Sequence, residues 1–247
     1  MIVDDSIGEK PYTDENDIIC WHYDHSQQRT VKGINFVTCL YHCQGISLPI
    51  GFEIVRKTEK YLDPKSGKEK RRSSRTKNEM YRDLMAQAVK NQIPFKYALN
   101  DIWFASAENM NFVKITLEKE FVMPLKGNRK VATSAEAKQN GRCQSVDTLE
   151  LEPMKPVTVY LEGVEFPLLL VKQVFTNEDG STGILYLVTS DTSLDGNEIT
   201  TIYQKRWNVE PYHKSLKQNT SFGEVAHSNC DDTDQSFLCG FVRLYQT

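Results

Sequence analysis

The stretch 203–217, YQKRWNVEPYHKSLK, constrains this chain more than any other. Within it Tyr203, Arg206, Glu210 and Lys217 follow one another at steps of three, four and seven. At about 100° per residue they fall at about 0°, 300°, 340° and 320° on a helical wheel, an arc of about 60°. Ile202, Val209, Tyr212 and Leu216 fall on the opposite side, at about 260°, 240°, 180° and 220°. The pattern predicts a helix with one face on a core and the other presenting a carboxylate flanked by two cations and a phenol. A Glu among cations is commonly just a solvated i,i+4 pair, but that does not explain why the polar stripe lies opposite the apolar one. A carboxylate suits Mg²⁺, and cations beside it suit a polyanionic substrate. Pro211 removes a helical hydrogen bond, so the helix either kinks there or a second helix begins.

The spacing Tyr-x2-Arg-x3-Glu-x6-Lys resembles the Y-R-E-K signature of bacterial DDE transposases of the insertion sequence 4-like group. It is complete at Tyr203, Arg206, Glu210 and Lys217, and His213-Lys214-Ser215 inside it is similar to the family as well. The resemblance implies an α/β fold, with a ribonuclease-H-like mixed sheet flanked by helices and interrupted by a β-rich insertion. It also implies two upstream aspartates. NDIWFAS resembles the second-aspartate motif and selects Asp101, which would otherwise read as a cap for the helix that follows. VDDS resembles the first-aspartate motif and selects Asp4. Asp5 is the alternate, because neighbours on a strand point to opposite faces. Asp4, Asp101 and Glu210 would then hold two Mg²⁺ or Mn²⁺ ions about 3.5–4 Å apart for phosphodiester cleavage and strand transfer. Tyr203, Arg206, Lys214 and Lys217 would contact DNA. The implied partners are double-stranded DNA with terminal inverted repeats, target DNA, and a second copy of the chain in the DNA complex. The implied place is the bacterial cytoplasm, at the nucleoid when DNA is bound.

A chain of 247 residues, 39% hydrophobic, can bury a sizeable core. Its net charge of −3 does not by itself announce nucleic-acid binding. One local run does: 56–77 holds ten Lys or Arg against three acids. It reads either as a solvated hairpin tip or as a phosphate-contacting loop. Six cysteines at irregular spacing point to reduced thiols. Cys20, His22 and His25 lie close together without a distant paired cluster, so buried or hydrogen-bonded side chains are expected rather than zinc. The same holds for Cys39, His42 and Cys43. No apolar run has membrane-spanning length.

Along the chain, strands are expected at 2–4, 33–43 and 45–55, then a helix over 76–91. A strand over 95–99 delivers Asp101, a helix follows over 108–118, and a strand over 120–125. Residues 126–144 read as loop. VTVYLEG, VEFPLLLVKQVF and GILYLVTS read as strands, with an Asp-Gly turn between the last two. Helix returns from about 195. The division is 1–126 for the first part of the catalytic core, 127–192 for the insertion, and 193–247 for the second part. The abrupt apolar start and the uncapped apolar end, SFLCGFVRLYQT, read as a truncated copy. An inactive relative that binds DNA or a full-length transposase, and a ribonuclease-H-like nuclease acting on RNA–DNA hybrids, are the competing readings.

Overall fold

The computed structural model describes residues 1–177 and 179–219. In chain order the elements are β1 (Ile2–Glu9), β2 (Ile19–Asp24), β3 (Arg29–Cys43), β4 (Ile46–Ile54), β5 (Glu59–Leu62), β6 (Glu69–Arg72) and α1 (Lys77–Lys90). There follow β7 (Tyr97–Asn100), α2 (Ala107–Asn111), β8 (Glu120–Leu125), β9 (Lys130–Ala132), α3 (Ala135–Gln139) and β10 (Gln144–Ser145). The last are β11 (Val157–Leu161), β12 (Leu168–Thr176), β13 (Thr182–Thr189), α4 (Gly196–Gln204) and α5 (Val209–Asn219). They fall into two compact units, Met1–Val3 with Met85–Trp207, and Asp4–Leu84 with the chain from Asn208.

The second unit is built on an antiparallel meander. β2 pairs with β3 from Ile19↔Ile34 to Asp24↔Arg29, and β3 pairs with β4 from Phe36↔Ile54 to Cys43↔Ile46. β-branched and aromatic residues (INFVTCLYHC) favour the pleat. The turn works because Gln44 and Gly45 both take positive φ, 50° and 80°. One face of the meander is closed by α5: Leu216 joins Ile18, Ile19, Ile34, Phe36 and Ile54 in a buried cluster, with Phe52 and Tyr212 against it. β1 lies beside β3. Their close approach explains Gly33, since a Cβ there would sit 2.3 Å from the Gly8 carbonyl oxygen. Residues 56–77 contain the hairpin that is one of the two readings of this run: β5 and β6 pair as a separate two-stranded ribbon.

The first unit carries a mixed sheet in the order β10-β9-β11-β12-β13-β8-β7, with Ile2 and Val3 of β1 beside β7. β1–β7 and β7–β8 are parallel, and the remaining pairs are antiparallel. The β-rich block joins this sheet directly, through β13 on β8 from Tyr186↔Leu125 to Thr189↔Val122. The expected loop at 126–144 contains β9 and a short helix, which Ser134 caps by accepting from Ala137 N–H. α4 starts with an Asp195/Glu198 capping box. It buries Ile199, Thr200 and Tyr203 against β8, β12 and β13. Gly196 is required where it stands, because a Cβ would meet the Met154 carbonyl oxygen at 1.9 Å.

Three further expectations change in detail. The first strand runs to Glu9 rather than ending at Asp4. The helix after Asp101 is one α-turn followed by a π-helical segment, Phe112–Thr116. The long helix expected from 195 to 217 is broken by a 3-10 turn at Lys205–Asn208. The apolar segment SFLCGFVRLYQT lies outside the described residues. Among those described, no helix is long and apolar enough to cross a membrane.

The Gly33 contact yields a stability prediction. Gly33→Ala must push two backbones apart, and is expected to lower unfolding free energy by about 1–3 kcal/mol. Gly51→Ala meets only the Leu84 Cδ2 at 3.1 Å, a side-chain tip that can give way. Urea titrations of both variants check this, and a midpoint loss for Gly51→Ala as large as for Gly33→Ala would contradict it.

Candidate functional site

In the first unit, the parallel ladder pairs Ile2 with Leu99 and Val3 with Asn100. Leu99 N–H donates to the Met1 carbonyl at 2.8 Å. β7 ends at Asn100, and Asp101 turns the chain. Its Oδ1 accepts from Trp103 N–H at 2.9 Å, and its carbonyl accepts from Phe104 N–H at 3.3 Å and Asn100 Nδ2 at 2.7 Å. Asp101 is therefore not the cap of α2. Ser106 is, accepting from Asn109 N–H at 3.1 Å. Tyr203 packs at this strand end: it is 5% exposed, and its hydroxyl donates to the Asn100 carbonyl at 3.4 Å. The Arg206 guanidinium lies 5.9 Å from the Tyr203 ring centroid and 5.5 Å from that of Trp207.

This corrects the helical-wheel reading. The 3-10 turn at Lys205–Asn208 restarts the helical phase, so Tyr203 faces the core of its own unit instead of sharing an exposed stripe. Of the two expectations for Pro211, the second helix is the one found, and it begins two residues earlier, at Val209. Pro211 occupies the first turn, where no intrahelical N–H bond is lost. Within α5, Glu210, Lys214 and Lys217 do keep one exposed face, opposite Val209, His213 and Leu216.

In the second unit, the two N-terminal acids have separate roles. Asp4 Oδ1 accepts from Asp5 N–H at 2.9 Å. Asp5 Oδ2 is engaged by the Lys77 ammonium at 2.5 Å. α5 is anchored by a contact that sequence reasoning missed: His213 Nε2 lies 2.7 Å from Thr38 Oγ1, and Thr38 donates to the Asp4 carbonyl at 3.3 Å. A hydroxyl has one proton to give. With Thr38 donating to Asp4, His213 must donate from Nε2. The relay His213→Thr38→Asp4 thus ties the helix bearing Glu210 to the strand bearing Asp4. The ring of Phe36 meets His213 edge-on, with centroids 5.7 Å apart. The only hint in the sequence is a polar residue on each of two apolar stripes, Thr38 in FVTCL and His213 one turn after Val209.

Burial, and then the Lys217 charge, depress His213 to about 3 from an ordinary 6.5. Burial of its ammonium end lowers Lys217 too, opposed by the carboxylates of Asp24, Glu9 and Asp5. The Cys20, His22, His25 group holds no metal-like arrangement. Cys20 is buried and donates to the Asn16 carbonyl at 2.8 Å, while His25 is exposed. Among the described residues, no three His, Cys, Asp or Glu side chains gather into a metal-binding group. Asp101 belongs to the first unit, and Asp4 and Glu210 to the second.

A family model described as DDE superfamily endonuclease matches residues 1–147. The matched span contains Asp4, Asp5 and Asp101 and ends before Glu210. Comparison with the curated proteins gives no match.

The relay makes a pH prediction. A histidine held neutral in the fold but protonated when unfolded withdraws stability as pH falls from 6.5 toward 3. His22, also depressed to about 3 by burial, adds to the same loss. His213→Gln, which cannot titrate, is expected to flatten stability over that window by up to about 1.4 kcal/mol per pH unit. Denaturant midpoints from pH 7 to pH 4 check it, and an unchanged pH slope would contradict it.

Proposed function

We propose that this chain, which belongs to the DDE superfamily endonucleases, is the catalytic part of a cut-and-paste DNA transposase of the insertion sequence 4-like group. Family membership implies a nuclease or transposase acting on DNA. The finer reading rests on the Y-R-E-K spacing and on one structural observation. The parallel ladder pairs Ile2 with Leu99 and Val3 with Asn100, so each strand has an aspartate as its next residue, Asp4 and Asp101. Asp4 lies within β1, directly after the paired residues, and Asp101 directly follows the end of β7. Glu210, on the exposed face of α5, supplies the third.

The donor set is oxygen only, which fits hard divalent cations such as Mg²⁺ or Mn²⁺. Asp4, Asp101 and Glu210 are the residues that would hold them. When bound, two such ions stabilise the attacking and leaving oxygens of an in-line displacement at phosphorus. Asp4 is preferred to Asp5 for this role because the Asp5 carboxylate is already engaged by the Lys77 ammonium. Arg206, Lys214 and Lys217 hold backbone phosphates of the DNA. Tyr203, with its hydroxyl on the Asn100 carbonyl, fixes the strand end that carries Asp101. The same carboxylates serve end cleavage by water and strand transfer by the freed 3′-hydroxyl, because only the nucleophile changes. Terminal inverted repeats present two equivalent ends, which two copies of the chain related by a two-fold axis would hold.

The test is Mg²⁺-dependent cleavage of a labelled duplex carrying the element's ends. Asp4→Asn, Asp101→Asn and Glu210→Gln are each expected to reduce cleavage to background while leaving duplex binding intact. Asp5→Asn is expected to stay within a few-fold of the parent. Full activity in Glu210→Gln, or loss in Asp5→Asn with retention in Asp4→Asn, would contradict the assignment. Arg206→Ala and Lys217→Ala should each make the salt dependence of binding shallower by about one phosphate contact.

A further inference from the structure

β5 and β6 form a two-stranded sheet of their own. Every residue in the two strands is exposed except Arg71, which is intermediate. An isolated hairpin that buries no apolar face is marginal in water. This one is held by charge. Lys60 pairs with Glu69 at 3.0 Å, Arg72 with Glu59 at 2.8 Å, and Lys70 with Asp63. Arg71 tethers the ribbon to Asp17 and to Glu15.

The tip is preformed. Asp63 N–H donates to the Lys68 carbonyl at 2.9 Å, Gly67 N–H to the Asp63 carbonyl at 2.8 Å, and Gly67 takes φ +65°. The Asp63 carboxyl is held down to about 2, first by the Lys70 ammonium and then by the Ser66 hydroxyl. Across 59–72 there are six cations and three carboxylates. The excess collects at the tip, where neither Lys65 nor Lys68 has an ion-pair partner among the described residues. Beside it Tyr61 and Leu62 are 37% and 70% exposed, with the Arg72 guanidinium 5.7 Å from the Tyr61 ring centroid.

A core-free ribbon with a preformed cationic tip and exposed apolar side chains is shaped for a polyanion with a groove. The DNA major groove admits a two-stranded β-ribbon, and its base edges accept apolar contacts. We propose that β5–β6 is a DNA-contacting arm, with Lys65 and Lys68 on backbone phosphates and Tyr61 and Leu62 against the groove. The proposal rests on the reading that DNA is the substrate, and requires no cleavage chemistry.

The experiment measures duplex affinity of the full chain by fluorescence anisotropy in EDTA, from about 50 to 200 mM salt. Lys65→Ala/Lys68→Ala is expected to make the log affinity against log salt slope shallower by about 1.8, at about 0.9 per phosphate. Lys65→Arg/Lys68→Arg should keep the parent slope. Lys90→Ala/Lys155→Ala, which removes equal charge from two other exposed sites, should also keep it. A parental slope in the tip double variant overturns the proposal. So does an equal loss in the Lys90/Lys155 control, or no duplex binding by the intact chain. Because cleavage is absent from the readout, an active Glu210→Gln would defeat the catalytic assignment and leave the arm standing.

Discussion

Leu99 N–H reaches the Met1 carbonyl at 2.8 Å, and Ile2 and Val3 run parallel to Leu99 and Asn100. Parallel strands need a long crossover connection. Here the connection is the whole stretch from β1 to β7, and it folds as the meander, the ribbon and α1. Everything proposed about chemistry depends on this short ladder, because its register decides which side chain follows it on each strand. A slip of one residue would turn each side chain to the other face. Full burial of Ile2 and Val3, both 0% exposed, resists such a slip.

Helix α5 depends on a second constraint. Its apolar stripe packs on the β2–β3–β4 face through Leu216, but apolar packing alone would tolerate small rotations. The His213–Thr38–Asp4 relay removes that freedom, since buried polar groups must find their partners. Burial disfavours the charged imidazole, and the neutral ring protonated at Nε2 supplies the one donor that Thr38 needs.

Much of this was legible in the sequence, for identifiable reasons. α1 carries its capping box at Thr76 and Glu79, and β8 is framed by charged residues, so both fall where periodicity puts them. Spacing placed Glu210 and Lys217 on one helix face, which α5 keeps, but put Tyr203 on that face too, whereas the structure buries it. The 3-10 turn that buries Tyr203 was not legible, because Lys205-Arg206-Trp207-Asn208 carries neither Gly nor Pro. The ribbon was half legible: its charge stood out, but strands of alternating Glu, Lys and Arg offer no apolar pattern to read. The relay joins residues 175 positions apart, and no local rule reveals such a contact.

The claim that Asp4, Asp101 and Glu210 hold the same ions can be tested without DNA. Fe²⁺ substituted for Mg²⁺ generates hydroxyl radicals in the presence of ascorbate and peroxide, and these cut the polypeptide beside the bound ion. The account predicts cuts in three separate segments, around Asp4, Asp101 and Glu210, all suppressed together by excess Mg²⁺ and by Asp101→Asn. Cuts confined to one segment, or clustered elsewhere in the chain, would contradict it.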